Sequence, residues 1–192
     1  MTSNFSDEEL DALGLTERGV DVRIDRRVAI FVPGSISLGS HVRVDAFSVL
    51  AGGARPLTLG SFVHIGASNY LSAGDGGITF GDFCTTAPRV AVHGHSDDYR
   101  EGALTGGVVP IDLAGGVGAP IVLEDHVIVG SGSVVLPGVS IGRGASVGAL
   151  TVVRRSVTPG DIVSGNPQQI VGQRDVSRLD ELAAEAWRRL SR

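Results

Sequence analysis

The sequence predicts an all-β fold, a parallel β-helix wound from hexapeptide turns, and three observations predict it. Aliphatic residues recur at every sixth position through Leu123, Val129, Val135, Ile141, Val147 and Val153. The same beat runs earlier through Leu38, Val44 and Leu50, through Leu59, Ile65 and Leu71, and through Phe80, Thr86 and Val92. Glycine follows many of these anchors, as at Gly39, Gly60, Gly66, Gly81, Gly130, Gly142 and Gly148, where a tight corner favours a residue without Cβ. A short fixed period means that the chain winds about one axis and stacks like turns, each burying its inward residue against the next. A flexible Gly-rich linker would not keep aliphatic residues in register over whole coils. Barrel strands alternate with helices for which this stretch has no room.

Residues 1–31 are expected to form an N-terminal cap and lead-in. Ser6-Asp-Glu-Glu9 has the form of a capping box, with Leu10 and Leu13 as an apolar stripe and Gly14 as the stop. The repeat is expected over 32–174. Three hexapeptides make a coil, and the late coils repeat every 18 residues, from Leu123 to Ile141. The early ones repeat every 21, from Leu38 to Leu59 to Phe80, so each carries extra residues at one corner, in Ala51–Pro56 and Ser72–Gly77. About five coils at ~4.8 Å each give a prism on the order of 24 Å long. The period is lost between Val92 and Ile121, which marks 93–120 as an inserted loop. Residues 175–192 show helical spacing in Val176, Leu179, Ala183, Ala186 and Leu190. Both terminal helices are expected to cover the open ends, because a bare terminal coil leaves strand edges and core in water.

The chain of 192 residues suffices for one core, and its net charge of −5 argues against nucleic acid as a partner. All 16 basic residues are Arg. The single cysteine, Cys84, excludes an internal disulfide framework and reads as packing within a strand. No stretch resembles a signal peptide or a membrane span, so cytoplasm is the expected compartment.

The inserted loop opens with the densest titratable cluster of the chain: His93, His95, Asp97 and Asp98 within six residues. An excursion of this length from a regular scaffold usually carries function. An imidazole can take a proton from an attacking hydroxyl or amine near neutral pH, and a nearby carboxylate can fix its tautomer.

The repeats, the His-containing loop and the segment Gly165-Asn-Pro-Gln-Gln-Ile-Val-Gly-Gln-Arg174 together resemble the hexapeptide-repeat acyltransferases, from about Leu38 to Arg174. The N-terminal Asp-Glu-Glu-Leu stretch and Ser96-Asp-Asp-Tyr99 are similar to the members that acetylate sugars or amino sugars of bacterial surface polysaccharides. Galactoside and maltose acetyltransferases are more distant relatives of the same plan. The resemblance implies a left-handed β-helix, acetyl-CoA as cosubstrate, and a homotrimer with sites between neighbours. It implies His95 as base within Gly94-His95-x-Asp97, with His93 and Asp98 as competitors, and Asn69, Asp75 and His93 on the acceptor side. For the thioester it implies Ser131, whose backbone amide faces the carbonyl, the small step Gly148-Ala149, and Arg154 with Arg155 near the phosphates. Asn166 and Pro167 belong to the closing motif. That motif departs from the usual Gly-x-Pro-Ala-Lys/Arg by having Gln168 and Gln169, and Arg174 is expected to replace the lost phosphate contact.

Two other readings use the same scaffold. A β-helical carbonic anhydrase would need a zinc site, for which His93, His95 and His126 are the available set, although the short His-x4-His spacing is missing. A catalytically silent assembly module would need no His loop.

Overall fold

The computed structural model describes residues 3–98, 103–108, 110 and 112–190; Tyr99 of the Ser96–Tyr99 motif lies outside them. The chain is a left-handed parallel β-helix of six coils. Sheet one stacks Glu17–Arg18, Ile36–Leu38, Leu57–Leu59, Ile78–Phe80, Ile121–Leu123 and Ser140–Ile141. Sheet two stacks Arg23–Ile24, Arg43–Val44, His64–Ile65, Thr85–Thr86, Ile128–Val129 and Ser146–Val147, then Asp161–Ser164 and Gln169–Gln173. Sheet three stacks Ala29–Phe31, Val49–Ala51, Tyr70–Ser72, Ala91–His93, Val134–Val135 and Val152–Val153. Every anchor of the sixfold beat points inward and is at most 3% exposed. Each buried Val, Leu or Ile side chain contributes roughly 1.5–3 kcal/mol.

The β-helix begins one coil earlier than the boundary at residue 32. Glu17–Arg18, Arg23–Ile24 and Ala29–Phe31 already pair in register with the next coil. The first coil is masked in the sequence because its opening anchor is Arg18, aligned with Leu38. Its guanidinium is neutralised by Asp7 at 2.9 Å and Asp11 at 2.6 Å, both on helix α1 (Asp7–Ala12). The capping box forms as read: the Ser6 hydroxyl accepts from the Glu9 amide, the Glu9 carboxylate accepts from the Ser6 amide, and Leu10 is buried. Arg26 and the Ser6 amide hold the Glu9 carboxyl down at about 2, so this tie is intact above the ordinary Glu range and is lost as the pH falls toward 2.

The glycines after the anchors answer to close approach. A Cβ on Gly39 would lie 2.6 Å from the carbonyl carbon of Gly60 in the next coil. The left-handed backbone falls elsewhere, on His41, Phe62, Phe83 and His126, each with φ between 57° and 64° at the corner joining sheets one and two. Such angles cost about 1–2 kcal/mol per residue. The four rings stack in a column, with centroids 4.6, 4.6 and 5.3 Å apart, which offsets part of that cost.

This column explains the placement of the C-terminal helix, α2 (Leu179–Leu190), which does not close the end of the prism. It runs back along the column: Val176, just before it, packs on Gly144, Asp180 pairs with Arg143, and Trp187 meets Phe62 edge-on at 4.6 Å. The open end is closed by an antiparallel turn of chain, Gln169–Gln173 against Asp161–Ser164. Among the described residues no helix is long and apolar enough to cross a membrane.

Candidate active site

Four irregular segments of the prism gather at one corner, where sheet three hands over to sheet one. The Gly-rich extensions after Ala51 and Ser72, the insertion after His93 and the turn at Arg154–Arg155 are stacked there. Vertical stacking brings Asp75, in the extension of the third coil, under His95, in the insertion of the fourth. The imidazole Nδ1 and the Asp75 carboxylate are 2.7 Å apart. Asp97 lies on the other side, 3.9 Å from Nε2.

The insertion does not wander from the scaffold at this point. His95–Asp97 forms an antiparallel pair with Gly116–Gly118, with His95 opposite Gly118 and Asp97 opposite Gly116. Those two glycines make the room. A Cβ on Gly116 would be 2.4 Å from the His95 ring, and one on Gly118 would be 2.0 Å from the Asp75 carboxylate. Below, Gly74 takes φ +55° and brings its backbone under the His95 Cβ. Gly116 and Gly118 are not among the residues that the sequence singles out. Their only signal is the run Gly115-Gly116-Val117-Gly118, which composition alone marks as loop.

His93 projects from the outer face of sheet three beside Tyr70, with ring centroids 5.4 Å apart, and burial lowers its pKa. His93 and His95 face one hollow with Ser96, Asp97, Val134 and Leu136. An adjoining hollow is lined by Ser96, Asp97, Asp98, Val117, Pro137 and Arg154. Asp98 also fixes the arm, since its amide donates to the Gly115 carbonyl and its carboxylate accepts from the Ala103 amide. The turn containing Asn166 and Pro167 packs beside Arg154 and Arg155, whose amides both donate to the Gln168 side chain at 3.2 and 3.3 Å. The Gln that departs from the family motif therefore holds the backbone of this turn.

Two expected site residues fall elsewhere. Asn69 is 1% exposed, and its amide group donates to the carbonyls of Gly66 and Ala87. It closes the corner between sheets two and three, as Ser48, Ser133 and Thr151 do in other coils, and does not face an acceptor. Arg174 donates to the carbonyls of His126 and Gly144 at the corner between sheets one and two, away from Arg154. His126 stands on that same remote corner, so it does not converge with His93 and His95. Cys84 is fully buried and its thiol is pushed up to about 12, chiefly by burial, which leaves it inert. Ser131, Gly148 and Ala149 lie together at the corner between sheets two and three, one corner away from His95.

Residues 120–155 match the family described as bacterial transferase hexapeptide (six repeats). The chain is 27% identical over 172 residues to the dTDP-4-amino-4,6-dideoxy-D-glucose acyltransferase of Escherichia coli, covering 90% of this chain and 89% of that protein. Its fold superposes on AntD, an N-acyltransferase from Bacillus cereus in complex with dTDP and 3-hydroxybutyryl-CoA, with a TM-score of 0.93 and 34% identity over 100% of both chains. The chain belongs to the hexapeptide-repeat acyltransferases. A serine-to-alanine variant of AntD holds dTDP-4-amino-4,6-dideoxyglucose with coenzyme A, and it matches this acyltransferase with a TM-score of 0.92. A hexapeptide-repeat acetyltransferase of Vibrio cholerae complexed with acetyl coenzyme A shares the fold alone, at 23% identity and a TM-score of 0.56.

Proposed function

We propose that this acyltransferase moves an acyl group from an acyl-coenzyme A to the amino group of a nucleotide-linked amino sugar, with His95 as general base. The observation that carries the chemistry is the Asp75–His95 pair at the corner where the repeat opens. Asp75 accepts from Nδ1–H, so the neutral ring presents the lone pair of Nε2 to the acceptor. The amine nitrogen attacks the thioester carbonyl and gives up a proton to Nε2. The tetrahedral intermediate then breaks its C–S bond, and the departing thiolate takes that proton. Nothing remains bonded to the protein. The donor and acceptor classes are supported by the ligands of AntD and by the name of the Escherichia coli relative.

The parts of the site lie at two corners of the prism, and one copy cannot wrap both. His95, Arg154 and Arg155 occupy one corner, whereas Ser131, Gly148 and Ala149 occupy the next. Exposed apolar side chains line the second corner and the sheet between the two: Phe47, Leu150, Phe31 and Tyr70. A homotrimer that brings the second corner of one copy against the first of its neighbour buries these groups. It also sets the Ser131 amide of a neighbouring copy where an oxyanion develops. Light scattering at micromolar concentration is expected to give a trimer, and a monodisperse active monomer would overturn the shared site.

Coenzyme A release measured against a panel of acceptors tests the reaction. Turnover is expected with dTDP-4-amino sugars and not with their hydroxyl counterparts. Acetyl-CoA binding without turnover on any acceptor would instead mark a silent module.

A further inference from the structure

The outer face of sheet two is unlike that of sheet one. In the second, third and fourth coils sheet one presents Ser37, Thr58 and Thr79 in register, small and neutral. In the first three coils sheet two presents Arg23, Arg43 and His64 in register. Like charges on directly neighbouring strands repel, so this column is a cost that packing alone does not require. Each guanidinium is tethered by a carboxylate: Arg23 to Asp21 through two bonds of 2.9 Å, and Arg43 to Asp45 at 2.7 Å. Arg27 is held by Asp25 through two bonds of 2.8 Å and lies 4.8 Å over the ring of Phe47. A surface groove runs between them, lined by Ser3, Asn4, Arg23, Asp25, Arg27 and Arg43 among others.

The tethers use one edge of each guanidinium. Arg43 spends only its Nε, and among the described residues its two Nη groups have no protein partner. A guanidinium fixed on one edge offers the other as a preset fork for two phosphate oxygens. The carboxylates bring the groove close to neutral. Recognition there rests on short, directed hydrogen bonds more than on long-range attraction.

The height of the groove agrees with such a ligand. Arg43 lies in the second coil and His95 leaves the fourth, a separation on the order of 10 Å along the axis at ~4.8 Å per coil. Arg154 stands higher, in the turn after Val152–Val153. In an oligomer whose axis is parallel to the prisms these heights are shared by all copies. A neighbouring copy's groove can therefore lie below His95 while the thioester arm lies above it. A hexose and its first phosphate bridge a gap of that size.

We propose that the groove at Arg23, Arg27 and Arg43 binds the diphosphate of the nucleotide-linked acceptor; the inference rests on the acceptor class given above. Titration calorimetry with dTDP on the full-length protein tests it. Arg43→Gln and Arg27→Gln are each expected to raise the Kd for dTDP at least ~10-fold, with binding of coenzyme A unchanged. In turnover with dTDP-4-amino-4,6-dideoxyglucose, KM is expected to rise while kcat stays within about threefold, the signature of a contact made equally in ground and transition states. If Arg27→Gln misfolds because Asp25 loses its partner, Arg43→Gln carries the test, since Asp45 retains His64. An unchanged Kd and KM in Arg43→Gln overturn the groove and leave the acceptor class standing. Wild-type protein that binds coenzyme A but none of dTDP, UDP or GDP overturns both.

Discussion

Replacing His95 by Ala is expected to lower kcat by roughly 10²–10⁴, the usual contribution of a general base, with little change in the dissociation constant for acyl-CoA. The setting of the ring suits the proposed role. Its Nδ1 is committed to Asp75, two glycines of the return strand clear the space around it and the Asp75 carboxylate, and the residue lines the hollow shared with His93 and Leu136. His93→Ala should cost much less, because that ring packs beside Tyr70 and, among the described residues, no carboxylate is seen to orient it as Asp75 orients His95. An amine acceptor already deprotonated in the site needs less help than a hydroxyl, so a loss at the low end of the range is itself informative about the acceptor. Asp98→Asn is the proper comparison. A His95→Ala enzyme with near wild-type kcat beside an inactive Asp98→Asn enzyme would move the base to the acid.

The second large effect is expected at Asp75, proposed as a positioning residue that acts through His95. Asp75→Asn should lower kcat by roughly 10²-fold or more, by analogy with the loss of an orienting carboxylate behind a catalytic imidazole. The amide of Asn can donate to Nδ1, which moves the ring proton to Nε2 and removes the lone pair the acceptor needs. A merely structural role for Asp75 predicts a different result. Nitrogen NMR of the His95 ring should report Nδ1–H in the wild-type enzyme and Nε2–H in Asp75→Asn, with the KM for acyl-CoA unchanged. An unaltered tautomer with full activity would remove Asp75 from the mechanism.

The fold was legible because its signal is one-dimensional. An anchor every sixth residue needs no knowledge of distant contacts, and each anchor from Leu38 to Val153 is buried. The first coil escaped because Arg18 occupies an anchor slot, stabilised by Asp7 and Asp11 on α1, and a charge there hides the period. The path of α2 escaped for a related reason. Its apolar stripe was visible, but its docking surface is a column of His41, Phe62, Phe83 and His126 that lie 21, 21 and 43 residues apart and become neighbours only through stacking. In the candidate site, the motif singled out His95 and the coil corner singled out Asp75, and the structure sets the two side chains 2.7 Å apart. That the two are partners follows from register alone. Asn69 misled because an Asn at a coil corner serves equally to bind a ligand or to satisfy backbone carbonyls, and burial decides between them. Arg174 misled similarly, its guanidinium being spent on carbonyls of the far corner.

The proposed acyl transfer is tested by the product of one reaction: purified protein, acetyl-CoA or 3-hydroxybutyryl-CoA, and dTDP-4-amino-4,6-dideoxyglucose, followed by mass spectrometry of the nucleotide sugar. The expected product carries one acyl group per sugar, linked through the amino nitrogen as an amide stable to mild base, with one equivalent of free coenzyme A. Release of coenzyme A without acylated sugar, or an acyl group carried as a base-labile ester on a hydroxyl, would contradict it.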